Sequence, residues 1–306
     1  MPSLRAKLLN RYIRRTIKPR PLMDMEPEIV RKLMNSRPVD LSAKSVDKKK
    51  LDHPSLSGEW HVPAGQASAD ASGAILYCHG GGYVFGSVEG WAPLTTRLAK
   101  ETGLPVLSLD YRLAPEHPCP AAIEDALAAF DHLVAQGYDP AQVFVGGDSA
   151  GGGLTLALLQ ALKARGTPQP GGAFLYSPWA DLSSTGASYY DNDESDAMFQ
   201  GATVRGGGVK YAGELPLDDP RVSPLFGDLA GLAPMVIFAS TDELFRDDAI
   251  CLQEKVSAIG GEAELHLEEG LVHVWPVFAP LIPEAKAAID TTARFISGIQ
   301  HRKKAA

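Results

Sequence analysis

The sequence predicts an α/β fold built on a mostly parallel central sheet. Apolar runs typical of buried strands alternate along the chain with stretches of helical periodicity, and the strands are apolar almost without interruption. Helices should therefore cover both faces of the sheet, and ligands should bind beyond the carboxyl ends of the strands. The predicted strands are residues 74–79, 104–111, 143–147, 172–179, 234–241 and 263–269, and the predicted helices include 120–136, 149–165, 247–259 and 283–299.

Two segments interrupt this alternation and are predicted to form a cap over the sheet. They are residues 1–50 and an insertion at about 183–222. The first contains a helical pattern bordered by basic residues, and we prefer packing against the protein's own body to the alternative of a membrane-surface helix. Its apolar face consists of Leu4, Leu8, Leu9, Tyr12, Ile13 and Ile17.

Composition narrows the classes of function. The 306 residues are 45% hydrophobic and carry a formal net charge of −8, which argues against a nucleic-acid partner. No apolar run approaches the roughly 20 residues that span a bilayer, and the basic N-terminus does not resemble a secretory signal. We therefore expect a cytoplasmic protein without stable membrane insertion. The cysteines Cys78, Cys119 and Cys251 lack a metal-ligand pattern and are expected to be buried free thiols.

The stretch VFVGGDSAGGGL, residues 143–154, indicates a nucleophilic serine. Ser149 lies between glycines, directly after an apolar strand and directly before a predicted helix. Small residues on both sides let a serine adopt a strained turn and project its hydroxyl above the sheet. A glycine-rich structural turn is the alternative interpretation.

A serine nucleophile needs a base and an acid that orients the base. His273 follows a predicted strand and precedes a predicted helix, which places it at the carboxyl edge of the sheet. Asp242 directly follows the strand 234–241, and the order Ser149, Asp242, His273 is that of the α/β-hydrolase arrangement. Asp247 and Asp248 are rivals, but their position favours capping of the next helix.

The segment YCHGGGYVFG provides candidate donors for a developing negative charge. Its glycines, at 80–82, follow a strand and free the backbone to turn N–H groups outward. The chain contains no G-x-G-x-x-G for a dinucleotide and no complete phosphate loop. The run DNDESD, residues 191–196, lacks the glycine and glutamate of a calcium loop and is expected to be a solvated acidic loop.

Taken together, the motifs resemble the hormone-sensitive-lipase-like family of carboxylesterases. They are HGGG, DYRLAPEHPCPAAIED, GDSAGG, SPWADLS, DELFRDD and LVHVW, in this order between about residues 70 and 300. The resemblance implies an α/β-hydrolase fold with about eight strands and a helical cap, so that residues 51–306 form the catalytic domain. It implies Ser149 as nucleophile, His273 as base and Asp242 as its orienter, with Gly81, Gly82 and Ala150 as backbone oxyanion donors. It also implies loop-supporting roles for His79, Asp110, Arg112 and His117.

The resulting hypothesis is a serine hydrolase of short-chain carboxylic esters that needs no cofactor or metal. An amide, lactone or formamide hydrolase with the same triad is an alternative, and a non-catalytic receptor on this scaffold is a third hypothesis. The family often has His-Gly-Phe where this chain has His273-Val274-Trp275, so Trp275 is expected to narrow the pocket. A small-molecule ester is the expected partner, and monomer and homodimer both stay open. The predicted pocket walls are Phe85, Trp91, Trp179, Phe199 and Trp275.

Overall fold

Eight strands form one sheet in the computed structural model, which describes residues 1–35, 45–66, 72–279 and 281–305. The spatial order is β1-β2-β4-β3-β5-β6-β7-β8, and all pairings from β4 to β8 are parallel. This agrees with the predicted, mostly parallel sheet. The strands are β1 (Val46–Lys50), β2 (Gly58–Pro63), β3 (Ala74–Cys78), β4 (Val106–Leu109), β5 (Val143–Asp148), β6 (Gly172–Tyr176), β7 (Met235–Ser240) and β8 (Ala263–Glu268).

The two antiparallel strands at one edge were not identified from residue patterns. Strand β1 has the sequence VDKKK, and only Val46 is buried. A lysine-rich edge strand avoids pairing with other chains, but it shows no apolar signal in the sequence. Because β1 belongs to the sheet, the predicted cap segment 1–50 extended too far, and its residues 36–44 lie outside the described residues.

Helices cover both faces of the sheet and bury two apolar layers. Helices α4 and α5 pack on one face with α9, and α3 and α10 pack on the other. The central helices are α3 (Val88–Thr102), α4 (Ala121–Ala135), α5 (Ala150–Ala164), α9 (Arg246–Ala258) and α10 (Pro283–Ala305). The strands β3, β5, β6 and β7 are buried along their whole length, as their apolar sequences predict.

The remaining helices lie in the two segments that interrupt the alternation. They are α1 (Leu4–Thr16), α2 (Pro27–Met34), α6 (Ser188–Asp191), α7 (Gly201–Gly207) and α8 (Val209–Ala212). The two segments bind each other through the backbone carbonyls of the acidic run. Arg14 donates to the carbonyls of Glu194 and Ser195, and Lys18 donates to that of Asp196 at 2.7 Å.

The acidic run is therefore not simply a solvated loop. Asp196 is 1% exposed, and its carboxylate accepts backbone N–H groups of Met198, Phe199 and Leu244. Burial raises the pKa of Asp196 above its ordinary value. This carboxylate joins the insertion to the loop that follows β7, directly beside the site described below.

Helix α1 packs on the body with only part of its apolar surface. Ala6 and Ile13 are buried, and Leu9 and Ile17 pack against the same core. The preferred interpretation of a self-packed helix holds for this side. The predicted apolar face is only partly covered by the rest of the protein, because Leu4, Leu8 and Tyr12 are exposed.

The three cysteines are free thiols, but they are not all buried. Cys78 and Cys119 are buried, whereas Cys251 is half-buried on α9. Across the described ranges, no helix combines the length and the apolarity that crossing a membrane requires.

Candidate active site

Ser149 occupies a strained turn between β5 and α5. Its backbone has φ 53° and ψ −120°, a conformation that residues other than glycine rarely adopt. Strain of this kind persists only where the surrounding structure holds it, and it concentrates at functional sites. The Ser149 N–H donates to Tyr176 O, while Ser149 O accepts N–H groups of Gly153 and Trp179.

Glycines allow this turn to approach the end of β3. A Cβ at Gly147 would lie 2.4 Å from the Cys78 carbonyl oxygen, and one at Gly151 would lie 2.0 Å from it. Both distances are far below van der Waals contact, so glycine is required at each position. The glycines noted in the sequence are therefore explained by steric contact with the neighbouring strand.

His273 bridges Ser149 and a buried carboxylate. Its Nε2 lies 2.9 Å from Ser149 Oγ, and its Nδ1 lies 2.5 Å from an oxygen of Glu243. Because an ionised carboxylate only accepts, the Nδ1 nitrogen carries the proton and Nε2 is free to accept from the serine hydroxyl. His273 is 1% exposed, which keeps this arrangement out of bulk water.

The carboxylate on His273 is Glu243, and the sequence-based choice of Asp242 is wrong in this geometry. Glu243 is 1% exposed, and its second oxygen accepts the Ser240 N–H at 2.7 Å. The Asp242 side chain instead accepts from Thr241 Oγ1, and its backbone carbonyl accepts from Ser195 Oγ. Adjacent residues of this loop point in different directions, and the longer glutamate side chain is the one that reaches the imidazole.

The rival carboxylates Asp247 and Asp248 contact the insertion instead of His273. Asp248 accepts N–H groups of Ala180 and Asp181 and the Tyr189 hydroxyl, and it is 1% exposed. Asp247 accepts the Ser188 N–H at 2.8 Å. Both carboxylates thus accept hydrogen bonds from the segment 180–189, whereas the sequence predicted that they cap their own helix.

The backbone N–H groups of Gly81, Gly82 and Ala150 are the predicted oxyanion donors. Gly81 and Gly82 have φ values of 116° and 59°, and both line the cavity that contains Ser149. Within the described ranges, neither of their N–H groups has a protein acceptor. Ala150 is the first residue of α5, where N–H groups have no partner within the helix. Two of the predicted donors thus belong to residues that line the same cavity as Ser149, and the third belongs to the residue that directly follows Ser149.

A cavity of about 470 Å³ lies above Ser149 and His273. Of the predicted walls, Phe85, Trp91, Trp179 and Phe199 line it. Trp275 does not, so this prediction is wrong: its side chain is 1% exposed and packs in the core against Phe238, with ring centroids 6.4 Å apart.

Several lining residues were not identified from the sequence. Val274 lines the cavity in place of Trp275, and its φ of 51° turns the chain so that these neighbours point in different directions. The Ser177 hydroxyl accepts the Val274 N–H at 3.0 Å and holds this turn. Phe245, two residues after Glu243, has its ring centroid 4.5 Å from that of His273. The N-terminal segment contributes Leu22, Met23 and Met34, and the C-terminal side contributes Val277, Phe278 and Leu281.

The four residues to which the family resemblance assigns loop-supporting roles make different kinds of contact. His79 is fully buried, stacks on Tyr111 at 4.4 Å, and has a pKa lowered by burial. Arg112 pairs with Asp125 and Glu124. Asp110 accepts from Ser57 at 3.3 Å, and the His117 N–H donates to the Leu113 carbonyl.

Asp148 connects the serine turn to the glycine segment. One of its oxygens accepts the Gly80 N–H at 2.9 Å and the Tyr77 hydroxyl at 2.7 Å. Burial raises the pKa of Asp148 from 3.8 to about 6, although these hydrogen bonds act in the opposite direction. This buried carboxyl aligns the two backbone segments whose N–H groups face the cavity.

Comparisons with known proteins find relatives over most of the chain. A family model described as an alpha/beta hydrolase fold matches residues 75–277. An acetyl-hydrolase of Streptomyces hygroscopicus is 38% identical over 240 residues, which cover 78% of this chain and 79% of that protein.

Solved structures resemble the whole described fold. The structure of EstE5 soaked by p-nitrophenyl butyrate has a TM-score of 0.91 at 34% identity, covering 98% of this chain and 99% of that one. An esterase from the bacterial hormone-sensitive lipase family has a TM-score of 0.88 at 36% identity, covering 97% and 98% respectively.

Replacing Asp148 should change how stability depends on pH. Since its pKa is higher in the folded state, this proton stabilises the fold fully below about pH 4, and the stabilisation is lost as pH rises through about 6. Relative to Asp148→Asn, the wild type should lose up to about 1.4 kcal/mol of unfolding free energy per pH unit in this window. Urea denaturation at pH 4 to 7 measures the difference. Asp24→Asn, at an exposed position, is the control, and parallel curves for wild type and Asp148→Asn would contradict the assignment.

Proposed function

The chain belongs to the α/β-hydrolase family and is a carboxylic ester hydrolase of the bacterial hormone-sensitive-lipase type, and we propose that it cleaves short-chain esters through an acyl-enzyme on Ser149. The observation that carries the proposal is the pair of contacts of His273 with Ser149 Oγ and Glu243 on the floor of an apolar cavity. The triad is therefore Ser149, His273 and Glu243.

The proposed reaction begins when Ser149 Oγ attacks the ester carbonyl and His273 Nε2 takes the hydroxyl proton. Glu243 holds the imidazole in the tautomer that accepts at Nε2 and stabilises the imidazolium that forms. His273 then donates the proton to the departing alkoxide, which leaves as the alcohol. In the second half, His273 takes a proton from water, whose oxygen attacks the acyl-enzyme carbonyl. The bond to Ser149 Oγ then breaks, His273 returns the proton to Ser149 Oγ, and the acid is released.

The oxyanion of each tetrahedral intermediate is assigned to the N–H groups of Gly81, Gly82 and Ala150. Their availability beside the serine supports this role, because donors that need no rearrangement stabilise charge as it develops. Asp148 supports the alignment by holding the Gly80 N–H. No step of the proposed reaction requires a metal or an organic cofactor.

The cavity supports esters with short acyl chains. Its lining is almost entirely apolar, and segments from both ends of the chain enclose it beside the insertion. Apolar walls favour binding of each added methylene by about 0.8 kcal/mol until the chain meets the end of the space. A finite cavity therefore sets an upper limit on acyl length.

Removing the serine hydroxyl should abolish turnover. We expect Ser149→Ala to hydrolyse p-nitrophenyl butyrate at no more than a residual rate, because only binding and the oxyanion donors would remain. A fluorophosphonate probe should label wild type at Ser149, as read by mass spectrometry of the peptide. Ser257→Ala, on the exposed side of α9 and outside the cavity, is the control and should keep wild-type turnover. Near-normal turnover by Ser149→Ala would refute the mechanism.

The two neighbouring carboxylates should respond differently to amide substitution. Glu243→Gln should lower kcat on the order of 10³ to 10⁴-fold, because the amide no longer favours the required tautomer. Asp242→Asn should retain most of the activity, since its carboxylate contacts Thr241 and not the imidazole. Steady-state kinetics of both variants, with circular dichroism for folding, provide the measurement. The reverse order would restore Asp242 as the orienting acid.

The acyl-chain profile should reach its maximum between about two and eight carbons. A series of p-nitrophenyl esters from acetate to palmitate, below micelle formation, should show kcat/KM rising with length and then falling. Trp91→Ala enlarges the cavity and should change the octanoate-to-butyrate ratio, whereas Trp275→Phe, outside the cavity, should not. A wild-type maximum at twelve or more carbons would reject the short-chain assignment.

A further inference from the structure

Helix α1 has a second apolar side that the protein does not cover. Leu4, Leu8 and Tyr12 follow one another at four-residue spacing, which places them along one side of the helix. Their side chains are 73%, 57% and 64% exposed. On α2, Ile29 and Leu33 repeat the same spacing and are 54% and 38% exposed. The first 34 residues thus hold a large share of the exposed apolar surface of the described chain.

Cationic side chains flank this stripe. Arg5, Arg11 and Arg15 are exposed, and within the described ranges none of them has a carboxylate partner. They lie three residues from Leu8 or Tyr12, next to the stripe on the helix surface. We call Leu4, Leu8, Tyr12, Arg5, Arg11 and Arg15 the α1 outer face.

The charge of this region is opposite to that of the chain as a whole. The first twenty residues contain seven basic side chains and no acidic one, although the formal net charge of the chain is −8. A second copy of the same face would bring unpaired arginines together, which disfavours a symmetric dimer through it. An apolar stripe between unpaired cations is instead complementary to a partner that has an apolar interior beneath a negatively charged surface layer.

The chain at each end of α1 is hydrogen-bonded to segments that contain cavity-lining residues. Ser3 donates from its hydroxyl to Glu284 at 3.0 Å, three residues after the cavity-lining Leu281. Beyond the helix, Lys18 O accepts from Gln200, the neighbour of the cavity-lining Phe199. Leu281 is itself 55% exposed. The helix therefore extends along one rim of the cavity.

We propose that the α1 outer face docks the protein on the surface of an anionic lipid bilayer. The stripe would enter the boundary between headgroups and acyl chains, and the arginines would contact lipid phosphates. The helix lies in the plane of the surface and does not span it. Docking places the cavity rim near the bilayer, where amphiphilic esters concentrate.

Vesicle binding of the full-length protein tests this proposal. The vesicles contain ether-linked phosphatidylcholine alone or with 30% ether-linked phosphatidylglycerol, because ether lipids are not substrates for an esterase. The wild type should co-sediment with the anionic vesicles, bind at least about tenfold less to the zwitterionic ones, and dissociate as sodium chloride increases. Failure of the wild type to bind anionic vesicles would overturn the proposal.

Two triple variants separate the apolar and cationic contributions. The apolar variant combines Leu4→Ser, Leu8→Ser and Tyr12→Ser. The cationic variant combines Arg5→Gln, Arg11→Gln and Arg15→Gln. Each variant should bind the anionic vesicles at least about tenfold more weakly than the wild type. Hydrolysis of soluble p-nitrophenyl butyrate should be unchanged, since these side chains lie outside the cavity. This activity also reports that each variant is folded.

Matched variants elsewhere control for surface chemistry in general. Val134→Ser with Ile259→Ser and Leu267→Ser removes three other exposed apolar side chains, and Lys49→Gln with Lys50→Gln and Lys100→Gln removes three other exposed cations. Both controls should bind vesicles like the wild type.

Sedimentation velocity tests the alternative that a second copy of the chain covers the α1 outer face. A wild-type dimer that the Leu4, Leu8 and Tyr12 variant dissociates would overturn the proposal, as would equal binding by outer-face and control variants.

Discussion

The site depends on the close approach of the Ser149 turn to the end of strand β3. Gly147 and Gly151 meet the Cys78 carbonyl where no side chain fits, and this contact holds Ser149 at positive φ. The same turn begins helix α5, whose first residue, Ala150, supplies one of the proposed oxyanion donors. One steric constraint therefore orients both the proposed nucleophile and one of its donors.

Buried carboxylates organise the loops around this turn. Asp148 binds the Gly80 N–H, Glu243 binds His273, and Asp196 binds the insertion to the loop after β7. Each accepts at least one backbone N–H, which compensates for part of the cost of burying a charge. The loops at the carboxyl edge thus have defined positions although they come from distant parts of the chain.

Local patterns in the sequence were sufficient for the central sheet and for two members of the proposed triad. Continuous apolar runs identify β3 to β7 because burial on both faces selects apolar residues at every position, whereas β8, at the edge of the sheet, is only partly buried. Ser149 was identified because its turn requires small residues within a short stretch, and His273 because it follows a strand at the carboxyl edge. Strand β1 carries no such signal because its lysine-rich sequence faces solvent, and β2, with the sequence GEWHVP, is only partly buried and has no continuous apolar run.

The tertiary structure alone decided which side chains meet at the site. The choice between Asp242 and Glu243 depends on the direction of each side chain in one loop, and both residue types supply a carboxylate. The positive φ of Val274 likewise turns Trp275 into the core and Val274 toward the cavity. Composition and spacing show where in the chain the functional groups occur. The direction of each functional side chain depends on backbone angles of its loop, and packing against residues distant in the sequence sets those angles.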